Sequence, residues 1–205
     1  MNLLTLNTPE ELNLLILDAK DAALWKQFAK APHVLGYHTN IYEYMKILTE
    51  VREEHLRRAA FLSSIGVEDF KTYREMCKEK GDYEALAKHP FLVVVMDEIT
   101  YTMKQLRLQD KAAYDEFRAT LSSLATVVRS SGIRILAIGQ RAIDTSIPKD
   151  YMFNASMKFA MKLDQDTEYD IMLTKGWDKR VSRKPVKAGE SLMLTQGQAQ
   201  PQYVK

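Results

Sequence analysis

Several things are scarce in this chain, and each scarcity excludes a class of protein. Its 205 residues include one cysteine, Cys77, which excludes an internal disulfide framework and a cysteine-rich zinc site. The longest apolar run, residues 91–96, is far shorter than the roughly 18 residues that a membrane-spanning helix needs. The 29 basic and 27 acidic residues leave a net charge of +2, too small to indicate a nucleic-acid partner by itself. The remaining composition, 46% hydrophobic, is that of a globular protein with a buried core.

Three catalytic signatures are also missing from the sequence. The four histidines lack the His-x-x-x-His and His-Glu-x-x-His spacings of zinc enzymes. No Gly-x-Ser-x-Gly string marks a nucleophilic serine. The eight glycines form no Gly-x-x-x-x-Gly-Lys-Ser/Thr loop, in which backbone amides and a lysine wrap the phosphates of a nucleotide.

The apolar residues form short runs that predict strands, separated by stretches with helical periodicity. The strand-like runs are 14–17, 91–96, 133–138, 157–163 and 191–194. Because most are continuous rather than alternating, they predict strands covered on both faces, as in a parallel sheet flanked by helices. Apolar stripes predict one helix over 41–62 that ends near Gly66, and another over 114–128 that ends at Gly132. This alternation, without a flexible linker, predicts an α/β fold in one domain over 1–205.

The run 91–96 is followed directly by Asp97 and Glu98. Nucleoside triphosphatases use an apolar strand ending in Asp-Glu to place one acid beside the bound metal and the second beside the attacking water. On this hypothesis Asp97 holds Mg²⁺ through a water molecule, and Glu98 polarises the nucleophilic water. Many α/β strands also end in acidic residues that only solvate the next loop, so this segment alone supports both interpretations equally.

A second polar side chain, Gln140, follows the strand-like run 133–138. In open α/β sheets ligands lie outside the carboxyl ends of the strands, so Gln140 and Glu98 would face one crevice if their strands are neighbours. There Gln140 could sense a terminal phosphate or the attacking water. The alternative is that its amide only satisfies backbone groups of the loop.

Together these segments resemble the motor domain of FtsK/SpoIIIE-type DNA translocases, in the wider superfamily of conjugative coupling proteins and type VII secretion ATPases. Six motifs carry the resemblance, in order: Leu-Asp-Ala-Lys at 17–20, Ser-Ser-Ile-Gly-Val at 63–67, Val-Val-Met-Asp-Glu at 94–98, Arg-Ser-Ser-Gly-Ile at 129–133, Ala-Ile-Gly-Gln-Arg at 137–141 and Gly-Glu-Ser-Leu-Met-Leu at 189–194. The resemblance covers nearly the whole chain. It implies a RecA-like P-loop NTPase core with a mostly parallel sheet and helices on both faces, ATP and Mg²⁺ as cofactors, and a homo-hexamer that binds nucleotide between subunits.

The resemblance also implies a position for the missing phosphate-binding loop. In the family this Walker A loop lies upstream of the strand that we place at 14–17. We therefore expect the chain to be a C-terminal part of a motor domain that begins after the loop, with a degenerate relative as the less favoured alternative. ATP should then be neither tightly bound nor hydrolysed by this chain alone.

The resemblance implies a role for Arg129 and marks a second basic position at Lys158. Arg129 lies at the end of the helix before the run 133–138, where the superfamily tends to carry an arginine that reaches a neighbouring subunit's terminal phosphate. The alternative is that Arg129 complements the C-terminal dipole of its own helix. Lys158 occupies another basic position after Asn154.

The resemblance implies double-stranded DNA as the cargo, in chromosome segregation or conjugative transfer, but two segments depart from the family. Ala142 replaces a proline after Gln140 and Arg141, and the family's basic pore loop is replaced by four carboxylates, those of Asp164, Asp166, Glu168 and Asp170. Carboxylates oppose binding to phosphates. We expect DNA contacts from basic residues instead, although a solvated loop is the alternative for most of them: Arg141, Lys175, Lys179, Arg180, Arg183, Lys184 and Lys187.

Two other classes of function stay open. The acidic segment suits an ATPase of a protein secretion system better than a DNA motor, and a degenerate domain could act only in assembly. By the resemblance we expect a cytoplasmic location, as the cytoplasmic portion of a membrane-associated protein, with membrane contact only through segments outside this chain.

Overall fold

The computed structural model describes residues 2–141, 147–173, 185 and 187–205. They form two compact units, one up to Ile138 and the other from Gly139 onward, and each unit has its own sheet. Because contacts alone do not report whether two units fold separately, the single domain over 1–205 stays a prediction. No helix in these described ranges is long and apolar enough to cross a membrane.

The first unit is a four-stranded parallel sheet with helices, in the strand order β2-β1-β3-β4. Its strands are β1 (Leu12–Asp18), β2 (Val34–His38), β3 (Phe91–Asp97) and β4 (Ile133–Ala137). Its helices are α1 (Asn2–Leu6), α2 (Ala23–Lys26), α3 (Tyr44–Ser64), α4 (Phe70–Lys80), α5 (Tyr83–Lys88), α6 (Ile99–Gln109) and α7 (Lys111–Val127). The prediction of an α/β fold with a mostly parallel sheet is confirmed.

The two long helices form where the apolar stripes predict them. Helix α3 buries one face that includes Leu48, Val51 and Leu62, and α7 buries a similar face along its length. After α7 a short 3₁₀ turn leads to Gly132, whose φ is +75°. A Cβ at this position would lie 2.1 Å from the ring of Phe70, so glycine is required both for the backbone conformation and for the contact.

The second unit contains the antiparallel sheet β5-β6-β7. Its strands are β5 (Met157–Ala160), β6 (Ser191–Thr195) and β7 (Gln202–Val204), and its helices are α8 (Lys149–Asn154) and α9 (Asp166–Leu173). The prediction that the runs 157–163 and 191–194 join the parallel sheet is wrong. In β5 the exposed Met157 and Phe159 alternate with the buried Lys158 and Ala160, which is the pattern of an antiparallel strand with one covered face.

Candidate functional site

The carboxylate of Asp97 lies at the carboxyl end of β3, where the apolar strand ends. Its Oδ1 accepts the backbone N–H of Glu98 at 3.0 Å, and its Oδ2 accepts the indole N–H of Trp25 at 2.7 Å. Because a carboxylate oxygen can accept two hydrogen bonds, each oxygen of Asp97 keeps one acceptor position for another ligand. The side chain is half-buried, so water or an ion can reach it.

Glu98 follows in a left-handed conformation, with φ +51° and ψ +46°. Its backbone oxygen accepts the N–H groups of Tyr101 and Thr102 and so begins helix α6, while its side chain makes no capping hydrogen bond. The side chain instead forms an ion pair in which Glu98 Oε2 lies 2.6 Å from Lys20 Nζ. A non-glycine residue at positive φ is strained, and such strain is often found at functional sites.

Lys20 and Trp25, which contact Glu98 and Asp97, lie in the segment that follows Asp18, the last residue of β1. Asp18, which is fully buried, accepts the backbone N–H groups of Lys20 at 3.1 Å and of Ala22 at 2.6 Å. The hydroxyl of Tyr37 lies 3.1 Å from Asp18 Oδ2 and 2.8 Å from Asp21 Oδ1. Burial, and then these hydrogen bonds to Asp21 and Asp18, raise the pKa of Tyr37, so its hydroxyl stays a donor.

These groups meet because β1 and β3 are neighbours in register, with Asp18 opposite Asp97. Mg²⁺ prefers oxygen ligands and, with nucleotides, is commonly held by one or two carboxylates, substrate phosphates and water. Nowhere in the described part of the chain do three or more His, Cys, Asp or Glu side chains gather as a metal cage. The acceptor positions left on Asp97 fit the water ligands of a hydrated Mg²⁺, and its binding there stays a prediction.

The end of β4 is tied to the end of β3 through backbone hydrogen bonds of Ile138. Its N–H donates to the oxygen of Met96, and its own oxygen accepts the N–H of Ile99, each at 2.9 Å. Gln140 follows two residues later and is exposed. It belongs to the second unit, so its approach to Glu98 stays a prediction.

Arg129 lies at the amino-terminal end of the strands, opposite the end that carries the two carboxylates. It is exposed in the 3₁₀ turn Val128–Ser131, directly before β4, whereas Asp97 and Glu98 lie beyond the carboxyl end of β3. The length of a strand therefore separates Arg129 from the two carboxylates of its own chain. The role of Arg129 toward the nucleotide of a neighbouring subunit stays a prediction.

The acidic segment of the second unit is not the four-carboxylate loop that we expect from the sequence. Residues from Asp166 onward form α9, and Glu168 is only 3% exposed. Its Oε1 accepts a hydrogen bond at 3.2 Å from Nε of Arg141. Asp164 and Asp166 are exposed and Asp170 is half-buried. One of the four charges is thus already neutralised inside the protein, by a residue that we predict to contact DNA.

The other basic residues singled out in the sequence lie in different environments. Lys187 is exposed, and its backbone N–H donates to Glu190 at 2.9 Å. Lys158 is 7% exposed in β5, and burial lowers its pKa. The remaining residues singled out near these positions lie outside the described residues: Ala142, Lys175, Lys179, Arg180, Arg183 and Lys184.

Sequence reasoning missed the partners of the two carboxylates. Trp25 lies in a segment with no recognisable catalytic pattern, and Lys20 is singled out only as part of a motif. Their contacts depend on the pairing of β1 with β3, which brings together residues 72 and 78 positions apart in the chain. The Leu-Asp-Ala-Lys motif was the one available signal.

Comparison with known families identifies one match. The FtsK/SpoIIIE family model matches residues 1–144, which include all of the first unit.

The curated proteins to which the chain is similar include two type VII secretion components. It is 28% identical over 145 residues to the ESX-4 secretion system protein EccC4 of Mycobacterium tuberculosis, an alignment that covers 69% of this chain and 11% of that protein. It is 25% identical over 170 residues to the type VII secretion system protein EssC of Staphylococcus aureus, covering 81% of this chain and 11% of that protein. The chain thus spans a small part of these relatives.

Two solved structures are similar in fold. The cytoplasmic domain of the type VII secretion ATPase EccC from Thermomonospora curvata has a TM-score of 0.70 at 20% identity, covering 96% of this chain and 22% of that one. The pCW3 conjugation coupling protein TcpA, solved as a monomer with ATPγS, has a TM-score of 0.72 at 16% identity, covering 94% of this chain and 52% of that one. At these identities the likeness shows the P-loop ATPase fold.

Proposed function

Since the chain belongs to the FtsK/SpoIIIE family, we propose that it supplies the metal- and water-holding edge of an ATP-hydrolysing motor site. The observation that carries this proposal is the carboxyl end of β3, where Asp97 and Glu98 stand side by side with acceptor positions left over. In parallel sheets this edge is where nucleotides bind.

The two carboxylates have separate tasks. Asp97 holds a hydrated Mg²⁺ by accepting hydrogen bonds from its water ligands. Glu98 accepts a proton of the attacking water and orients that water toward the terminal phosphate. The Mg²⁺–ATP complex, when bound, supplies the phosphoryl group and the positive charge that stabilises its transfer.

The phosphates need a cradle that this chain's sequence does not contain, since no Gly-x-x-x-x-Gly-Lys-Ser/Thr loop occurs in it. We therefore propose that ATP and Mg²⁺ act with this chain only together with such a loop. Isothermal calorimetry with Mg-ATP and a phosphate-release assay test the proposal on the 205-residue chain. Micromolar binding or steady turnover by the chain alone would contradict it.

We propose that the chain works in a ring of six subunits, as the family resemblance implies. The position of Arg129 before β4, at the end of the strands opposite the carboxylates, supports contact with a neighbouring subunit. In a protein that joins this chain to a phosphate-binding loop, Arg129→Ala and Glu98→Gln subunits are each expected to be inactive. Mixed rings should regain activity, because an intact Arg129 of one subunit can face an intact Glu98 of the next. No recovery at any mixing ratio would contradict the role between subunits.

For the cargo we propose double-stranded DNA. The family and the name of TcpA, a conjugation coupling protein, support this proposal. The pairing of Glu168 with Arg141 neutralises one of the four opposing charges together with one predicted DNA contact, so it favours neither cargo. Each neutralised phosphate contributes about −0.9 to the slope of log affinity against log salt. Replacing Arg180, Arg183 and Lys184 by alanine should therefore flatten that slope by roughly 2 to 3 units.

A protein cargo is the second candidate, and the curated relatives favour it, because EccC4 and EssC are named as secretion system proteins. The two candidates separate in one experiment. The test uses the protein that joins this chain to a phosphate-binding loop, here called the looped protein. If it shows no salt-dependent binding to duplex DNA and no stimulation of its ATPase by DNA, the DNA proposal fails and a protein cargo takes its place. If the protein hydrolyses no ATP at all, a non-enzymatic assembly role replaces both.

We propose a cytoplasmic location for this chain. One similar structure is titled the cytoplasmic domain of a type VII secretion ATPase, and another the cytoplasmic domain of EssC. Protease protection in intact cells and in spheroplasts tests this location: the chain should resist added protease until the membrane is broken.

A further inference from the structure

We propose that the segment 18–25, which runs from the last residue of β1 into α2, positions the two carboxylates at the end of β3. Lys20 orients Glu98, and Trp25 orients Asp97. The inference rests on the proposed function of these carboxylates and adds two positioning residues to it.

The first contact fixes one oxygen of Glu98 and leaves the other available. Lys20 Nζ lies 2.6 Å from Oε2 of Glu98, whose side chain is only 13% exposed. Within the described residues Oε1 of Glu98 accepts no hydrogen bond. An ion pair that occupies one oxygen and leaves the second open orients the carboxylate for a water molecule rather than blocking it.

The second contact acts in the same way on Asp97. Trp25 is buried among Leu14, Ile16 and Val95, so its indole ring has a fixed place beneath the sheet edge. Its N–H donates to Oδ2 of Asp97 at 2.7 Å. A buried ring with one donor sets the plane of the carboxylate while leaving further acceptor positions on both oxygens.

The segment itself is held by its own backbone. Asp18 accepts the N–H groups of Lys20 and Ala22, and Asp21 has a positive φ of +49°. Among the described non-glycine residues, Asp21 and Glu98 are the two with positive φ, and they lie on facing segments of this site. The hydrogen bonds to Asp18 fix the backbone of the turn on both sides of Asp21 and so limit where Lys20 can lie. A restrained Lys20 in turn orients the carboxylate of Glu98.

The first test is spectroscopic and uses the 205-residue chain without nucleotide. Lys20→Met should shift the side-chain carboxyl carbon signal of Glu98 in NMR spectra. Lys26→Met is the matched control, because it removes a neighbouring ion pair, with Asp21 at 2.9 Å, from the same segment. If Lys20→Met leaves the Glu98 signal in place, or if Lys26→Met shifts it equally, the proposal is wrong.

Trp25 is tested by its indole N–H signal, assigned against a Trp177→Phe variant. Asp97→Asn should move the Trp25 signal strongly, whereas Asp164→Asn, an exposed aspartate of the second unit, should leave it unchanged. An unchanged signal in Asp97→Asn would mean that the two side chains do not bond in solution. The Trp25 half of the proposal would then be overturned.

The second test measures turnover in a protein that joins the chain to a phosphate-binding loop. Lys20→Met should lower kcat roughly 10- to 100-fold, with ATP affinity changed less than about 2-fold, because a misplaced carboxylate affects the transition state rather than binding. Lys20→Arg should restore most of the loss, since a guanidinium can make the same ion pair. A rise in the Kd for ATP with kcat unchanged would instead assign Lys20 to phosphate binding and overturn the proposal.

Failure of the proposed function is distinguishable from failure of this inference. If the looped protein with native residues hydrolyses no ATP, the proposed function fails. The NMR results would still report whether Lys20 and Trp25 hold the two carboxylates.

Discussion

Asp18 and Asp97 are partners in the register of β1 and β3, and each is the last residue of its strand. Asp18 is fully buried, and its oxygens accept two backbone N–H groups and face the hydroxyl of Tyr37. Asp97 is half-buried and accepts one backbone N–H and one indole N–H. At the same register position, one aspartate is fully buried and binds the backbone of its own segment, and the other is half-buried with acceptor positions that solvent can reach.

This difference distinguishes a carboxylate that holds the backbone of its own segment from the one that we propose to bind a ligand. A buried carboxylate is stable only when hydrogen bonds replace its lost hydration, and Asp18, which is fully buried, is out of reach of a ligand in solvent. Asp97 and the adjacent Glu98 keep acceptor positions that water, a cation or a nucleotide can use. The comparison predicts that changes at the end of β3 alter chemistry, whereas changes at the end of β1 alter stability.

The largest effect is expected for Glu98→Gln in a protein that joins the chain to a phosphate-binding loop. Turnover should fall about 10²- to 10⁴-fold, because the water loses its acceptor, while Asp97 still holds the metal and ATP affinity is kept. Glu84→Gln, at an exposed helical ion pair, is the matched control and should leave turnover unchanged. Equal turnover in Glu98→Gln and in the unaltered protein would contradict the prediction that changes at the end of β3 alter chemistry.

The next effect contrasts Asp18→Ala with Asp97→Ala in urea unfolding of the chain. Asp18→Ala should lower the free energy of unfolding by about 2 to 4 kcal/mol, because two backbone donors and the Tyr37 hydroxyl lose a buried acceptor. Asp97→Ala should lower it less, by about 1 to 2 kcal/mol, because it removes the acceptor of the Trp25 indole N–H, while water can replace the other contacts of a half-buried carboxylate. Equal losses would show that the two carboxylates do not differ in kind.

A smaller effect is expected from Trp25→Phe, which keeps a buried ring but removes the donor to Asp97. The free energy of unfolding should fall by about 1 to 2 kcal/mol, since hydrogen bonds to charged groups are the stronger ones. In the Asp97→Ala background the same substitution should have a smaller effect, and the difference measures the coupling of the pair. Strict additivity of the two substitutions would mean that the hydrogen bond contributes nothing.

The smallest effect is expected from Lys20→Met, which removes the ion pair with Glu98. Because the lysine side chain is 39% exposed, the free energy of unfolding should change by less than about 1 kcal/mol. Lys26→Met should behave alike. A large loss in Lys20→Met would make Lys20 a stabilising residue first, contrary to its assignment as a positioning residue.

The sequence predicts the elements that bury a whole apolar face. The runs that became β1, β3 and β4 were found within a few residues of their ends, as were α3 and α7. Hydrophobic periodicity reports burial, and each of these elements buries at least part of one face, although β4 also has exposed positions. The position of Asp97 and Glu98 at the end of β3 is predicted for the same reason, because a continuous apolar strand indicates where its polar end emerges, and their roles stay predictions.

The sequence does not reveal elements and contacts that depend on residues far apart in the chain. Strand β2 has a glycine and few buried residues, so it carries no strong pattern, and its place beside β1 is set by tertiary contacts. The charged stretch after Asp164 was expected to be a pore loop. The burial of Glu168 depends on Arg141, which lies 27 positions earlier in the chain. Local charge density cannot show such a partner.

The hydrogen bond between Trp25 and Asp97 gives the protein a built-in optical reporter. The sequence contains two tryptophans, Trp25 and Trp177, so a Trp177→Phe variant would emit from the indole beside Asp97 alone. A cation or phosphate arriving at that carboxylate changes the electric field along the indole N–H bond, and with it the colour and yield of the emission. Each step of a catalytic cycle could then be timed in a stopped-flow instrument on unlabelled protein.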